Sequence, residues 1–136
     1  MFFTLKILAL CAMVDSMTRI ISICNAKGGV GKTTTAMNVA AFLGAFGKRV
    51  LLADIDPQAN ATSGMGFHNK RHDKSVYHAL IGKESPEKLI KKTNFLAVDL
   101  LPASPSLAGA SIELVSMRGR EFKLKDVLAQ VARKYD

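Results

Sequence analysis

Between positions 27 and 34 the chain reads Lys-Gly-Gly-Val-Gly-Lys-Thr-Thr, and no other run constrains the fold as much. Three glycines within four residues permit a tight curl that leaves backbone N–H groups turned inward. An apolar, β-branched run, Ile20-Ile21-Ser22-Ile23-Cys24, precedes it, and a helix-forming stretch from Thr33 to Phe46 follows. Strand, glycine loop and helix in that order are the context that turns a P-loop match into a phosphate site. The pattern Gly-x-x-x-x-Gly-Lys-Thr is nearly met, with Lys27 where the first glycine is expected. The expected cradle is Lys27, Gly28, Gly29, Val30, Gly31, Lys32, Thr33 and Thr34, aided by the positive end of the following helix. Lys32 should reach the β- and γ-phosphates, and the Thr33 hydroxyl should ligate Mg2+. The plainer reading is a generic glycine-rich turn. Two lysines and a Thr pair at fixed spacing weigh against it.

Gly44 and Gly47 end the helix, Gly47 as the residue after its cap. Lys48-Arg49 then leads into Val50-Leu51-Leu52-Ala53, a second buried strand. Strand, helix and strand with short joins form a right-handed βαβ unit and call for a parallel sheet. The second strand delivers Asp54-Ile55-Asp56-Pro57-Gln58. Ligands of open α/β sheets bind beyond the carboxyl ends of the strands, so Asp54 and Asp56 are expected to face the phosphates. Asp at a strand end is also a common turn former or helix cap. Ala59 to Gly66, with its Asn, Ser and Gly content, reads as a mobile loop.

The remaining pattern is weaker. A short helix is expected over Ser75–Ile81, another from Ser85-Pro86 through Lys92, and a strand over Asn94–Leu101. Ser106–Met117 and Glu121–Tyr135 read as helices, the last with an apolar stripe of Phe122, Leu124, Val127, Leu128 and Val131 that should face the core. At 136 residues the chain suits one domain, expected over 19–136, with a non-domain extension over 1–18. Phe2 to Val14 is mostly apolar but short of the roughly 20 residues that span a bilayer. An extension from a misplaced start codon is the preferred account of it, and a membrane-touching anchor the second. The net charge of +8 comes from 19 basic and 11 acidic residues in no dominant block, so it favours polyanions only weakly. Two cysteines do not make a disulfide framework. Cys24 reads as a small hydrophobe in a buried strand, and His68, His72 and His78 as surface residues.

From Arg19 to about Gly66 the chain resembles the ParA/Soj chromosome- and plasmid-partitioning ATPases of the ParA/MinD class. The resemblance rests on the loop 27–34, on Gly47-Lys48-Arg49-Val50-Leu51-Leu52, and on Asp54-Ile55-Asp56-Pro57-Gln58-Ala59-Asn60-Ala61-Thr62-Ser63-Gly64. Leu101-Pro102-Ala103-Ser104, Leu107-Ala108-Gly109-Ala110 and Ile112-Glu113-Leu114 extend it. It implies an α/β, three-layer P-loop NTPase-like fold with a mostly parallel sheet, here C-terminally truncated because members run well beyond this length. It also implies ATP and Mg2+ as cofactors and hydrolysis of the γ-phosphate. Lys27 resembles the signature lysine that reaches the partner's phosphates across an ATP-bound homodimer. Asp56 resembles the residue that positions or activates water, with Asp54 beside it. The implied partners are a centromere-binding ParB-like protein and non-specific DNA, without stable membrane insertion, in the bacterial cytoplasm at the nucleoid. Ala26 and Ala59 depart from the family, which often has Gln and Gly there. A MinD-like membrane-cycling ATPase and an inactive nucleotide-binding fragment are the alternatives; the Asp56-Pro57-Gln58 run favours partitioning. The nitrogenase iron protein shares the deviant loop but needs cluster-ligating cysteines, and Cys11 and Cys24 do not stand where such ligands would.

Overall fold

A computed structural model describes residues 18–68 and 73–136. The expectation for residues 1–18 falls, Thr18 apart, outside the described residues, as does that for His72. Three strands form one mixed sheet in the order β1-β3-β2: β1 is Val50–Ala53, β2 Lys91–Lys92 and β3 Val98–Leu101. β1 and β3 are parallel with Val50 opposite Val98 and Ala53 opposite Leu101, whereas β2 runs antiparallel along the other edge of β3. Every residue of the central strand β3 is buried, as the apolar run with a single acid, Asp99, suggests for a strand covered on both faces.

Those two faces carry two cores, which makes the architecture three-layered. On one side Leu52, Val98 and Leu100 pack against α1 (Lys32–Ala45) and α2 (Asn60–Gly64) through Ala40, Ala61 and Met65. On the other, Leu101 with half-buried Leu51 and Ala53 meets α3 (Val76–Leu80), α4 (Pro86–Leu89), α5 (Leu107–Glu113) and α6 (Lys123–Ala129) through Val76, Leu80, Leu89, Leu107 and Val127. Alternation along the pleat sends Leu52 and Leu51 to opposite layers.

Local signals account for most of the helices. Gly47 ends α1 at φ 80° and donates its N–H to the Gly44 carbonyl. Ser75 caps α3, and Pro86 opens α4 at a position whose N–H no helix would use. α5 runs on into a 3-10 turn over Leu114–Ser116, and α6 is flanked by 3-10 turns over Arg120–Phe122 and Ala132–Lys134.

Five expectations are corrected. Ile20–Cys24 is not a strand: Ser22 makes one isolated bridge, and Ile21 and Cys24 are exposed. Asp136 accepts from the Arg19 N–H and donates its own N–H to the Arg49 carbonyl, so it stands between the two backbones. Among the described residues β1 pairs only with β3, so the run after Arg19 has no ladder there. Ala59–Gly66 is not an open loop but contains α2, whose Met65 is buried at its end. Lys91–Lys92 forms β2 instead of extending α4: it pairs antiparallel with Leu100 and Asp99 of β3, and the Lys92 ammonium lies 2.8 Å from the Asp99 carboxylate. His78 is half-buried, its Nδ1 accepting the Ser75 N–H at 3.2 Å to complete a capping box. Finally, Phe122 leaves the apolar stripe of α6 and lies exposed, while Val127 and Val131 are buried as expected.

Candidate phosphate site

The glycine loop curls as its composition demands. Gly29 and Gly31 adopt φ 70° and 82°, a region that side-chain-bearing residues rarely enter. A Cβ added at Gly28, Gly29 or Gly31 would meet nothing within 4 Å, so these glycines serve backbone conformation and an open concavity, not packing. Asn25 steadies the entrance, its Oδ1 accepting the Lys27 N–H at 2.9 Å. The first hydrogen bond of α1 runs from the Thr35 N–H to the Gly31 carbonyl. Among the described residues, the N–H groups of Gly28 through Thr34 therefore have no acceptor, and Gly31 offers no side-chain cap. Unpartnered donors at the positive end of a 14-residue helix form a seat for an anion.

Lys32 arches back over the loop, its Nζ donating to the Lys27 carbonyl at 3.0 Å. Thr33 is half-buried, and its hydroxyl has no partner among the described residues. The loop thus offers amides and an ammonium group to phosphate oxygens and a hydroxyl to a hard cation. Lys27 is exposed, its side chain unpaired.

The two acids beyond β1 differ sharply. Asp54 is 5% exposed and fully engaged. Its Oδ2 accepts from the Thr62 N–H at 2.8 Å and the Thr62 hydroxyl at 2.7 Å, and its Oδ1 from the Asp56 N–H at 3.1 Å. Asp56 is half-buried; its Oδ1 accepts the Gln58 N–H at 2.9 Å, and its Oδ2 has no partner among the described residues. Ala59 takes φ 51°, a left-handed geometry that turns the chain into α2. α2 then packs on α1, with Met37 over Gly64, which carries the acidic turn onto the helix that the glycine loop opens. The four ion pairs of the described residues include none between Lys27 or Lys32 and either acid.

Sequence reasoning missed Thr62 and Asn25. A Thr at the third residue of a helix, eight positions after a buried Asp, was the available signal for the first.

Loop, helix and acidic turn on an α/β sheet define a P-loop NTPase of the ParA/MinD type. The sequence profile of the AAA domain family matches residues 18–136, and the chain belongs to that family, among its ParA/Soj-type members. It is 49% identical over 120 residues to the sporulation initiation inhibitor protein Soj of Bacillus subtilis, a match covering 88% of this chain and 47% of Soj. It is 46% identical over 118 residues to the chromosome partitioning protein ParA of Myxococcus xanthus, covering 87% and 42%. Among solved structures, cobyrinic acid a,c-diamide synthase from Mycobacterium smegmatis, with bound ATP analog and magnesium, is similar at 40% identity and TM-score 0.78, covering 83% of this chain and 46% of that one. An ATP complex of McdA from Cyanothece is similar at 25% identity and TM-score 0.77, covering 83% and 43%. The chain spans about half the length of the curated relatives it matches.

Proposed function

We propose that this chain binds ATP with Mg2+ and hydrolyses it as the switch of a chromosome or plasmid partitioning system. One observation carries the phosphate site: the N–H groups of Gly28 to Thr34 lack acceptors while Lys32 spans the same loop. Mg2+ at that site would neutralise charge on the phosphate oxygens. Lys32 holds the β- and γ-phosphates and the Thr33 hydroxyl serves the metal. The free Oδ2 of Asp56 accepts a hydrogen bond from the attacking water, which orients it and eases loss of its proton. Lys27, exposed and unpaired, reaches the phosphates of a second copy in an ATP-dependent homodimer, where a cation delivered from outside offsets charge growing on the transferring group.

The partitioning role is supported by the similarity to Soj of Bacillus subtilis and ParA of Myxococcus xanthus. A centromere-binding ParB-like protein and non-specific DNA are the proposed macromolecular partners, and the bacterial cytoplasm at the nucleoid the proposed location. Among the described residues no helix is long and apolar enough to cross a membrane.

The test is thermal unfolding with and without MgATP. A ligand at about a hundredfold its Kd adds about 2.7 kcal/mol to a protein that binds it only when folded. The wild-type chain should melt higher with MgATP, Lys32→Ala should lose that shift, and Lys27→Ala should keep it while losing ATP-dependent dimerisation in light scattering. No shift in the wild type at millimolar MgATP sinks the nucleotide reading, and an unimpaired Lys27→Ala dimer sinks the trans assignment.

A further inference from the structure

We propose that Thr62 is a positioning residue of this site, acting through Asp54 on the turn that bears Asp56. The proposal rests on the ATPase reading above and concerns turnover, not nucleotide binding. Thr62 is fully buried, and its hydroxyl does two things at once. It donates to Asp54 Oδ2 at 2.7 Å and accepts the Ala103 N–H at 3.0 Å. Its own N–H gives Asp54 Oδ2 a second bond at 2.8 Å. The other oxygen of Asp54 holds the Asp56 N–H, and Asp56 Oδ1 holds the Gln58 N–H.

A continuous chain of hydrogen bonds thus runs from Ala103, just past the end of β3, through Thr62 and Asp54 to the backbone of Asp56. Asp54 directly follows β1, so the chain ties together the ends of the two parallel strands and the turn that leads into α2. Only a hydroxyl can donate to the carboxylate and accept the amide from one atom. Without it Asp54 loses a donor in a buried place and the Ala103 N–H loses its bond to Thr62, and the buried carboxylate would gain by moving towards water. The direction in which Asp56 presents its free oxygen depends on that turn staying put. The glycine loop shares none of these bonds, which separates positioning from phosphate binding.

The test compares Thr62→Val, which keeps the shape and removes the hydroxyl, with Thr62→Ser, which keeps the hydroxyl. Three quantities are measured in the full chain: amide hydrogen exchange, affinity for a fluorescent ATP analogue with Mg2+, and ATP turnover. In Thr62→Val the Asp56, Thr62 and Ala103 amides should exchange about tenfold faster, the size expected for losing a hydrogen bond to a buried carboxylate. Analogue affinity should stay at the wild-type value while turnover falls, and Thr62→Ser should restore both exchange and turnover. Wild-type exchange in Thr62→Val, or a Thr62→Ser variant as impaired as Thr62→Val, overturns the proposal. If Thr62→Val does not fold, Thr62→Ser decides alone: it must protect those amides as the wild type does. Failure of the wild type to bind the analogue overturns the ATPase reading instead, so the two failures are distinguishable.

Discussion

At the scale of single residues, backbone geometry separates positions that composition alone would group together. Gly29 and Gly31 stand at positive φ in the loop, and so do two alanines, Ala59 and Ala97. A left-handed backbone costs an L-residue with a Cβ about 1–2 kcal/mol, so these alanines are held there by what surrounds them. Ala59 is buried at the entrance to α2, where its methyl group packs in the core. Ala97 is exposed, and its carbonyl accepts the Val50 N–H just before β3 begins. Ala97→Gly should therefore relieve strain without removing a packed methyl, raising stability by up to about 1 kcal/mol. Chemical denaturation would show it as a higher midpoint at unchanged slope; a lower midpoint would mean that Ala97 is not strained.

Among elements, the decisive contact is that of α1 with the start of β3. A Cβ on Gly44 would collide with the Leu96 carbonyl and lie 2.8 Å from Val98 Cγ2. Backbone and a β-branched core residue cannot both yield, so Gly44→Ala should destabilise by about 1–3 kcal/mol despite its better helix propensity. Gly64 is also crowded, but its neighbours are the Sδ and Cε of Met37, the movable end of a flexible chain. Gly64→Ala should cost less than about 1 kcal/mol. Melting both variants side by side checks the contrast, and equal losses would refute it.

The whole molecule is closed by charge pairs at its periphery. Glu84 is held down to about 2 by hydrogen bonds from Lys74 and Lys88, and Asp136 to about 2 by the Arg49 guanidinium and N–H. A carboxyl depressed on folding contributes stability that is full above its ordinary value and fades as pH falls through the folded one. The acid slope should therefore develop between about pH 4.5 and pH 2, where the unfolded chain takes up protons first. At the other end, burial and the hydrogen bond to Asp99 raise Tyr135, so stability should fall once pH climbs above the ordinary tyrosine value. The paired lysines and Arg49 are largely exposed, so the acid effect is small and screened by salt. Melting curves from pH 2 to 6 should show the slope, with Arg49→Ala removing part of it. An Arg49→Ala slope equal to that of the wild type would show that Asp136 contributes nothing.

The glycine loop, the helix after it, β1 and the acidic turn were legible because each rests on local chemistry: positive φ that glycine adopts without strain, caps of Ser and Gly, an apolar run between polar ends. Other features depended on partners distant in sequence. Ile20–Cys24 has every propensity of a strand, yet a strand exists only where another backbone supplies its hydrogen bonds, and among the described residues this run shows one isolated bridge, at Ser22. Lys91–Lys92 read as helix until Asp99 of β3 offered a counter-charge and a ladder. Asp54 and Asp56 looked alike in sequence, two acids flanking one isoleucine. Burial of the first under Thr62, and partial exposure of the second with one oxygen free among the described residues, set them apart. Spacing along a chain determines which groups are available, and packing across it decides which of them are already spent on one another.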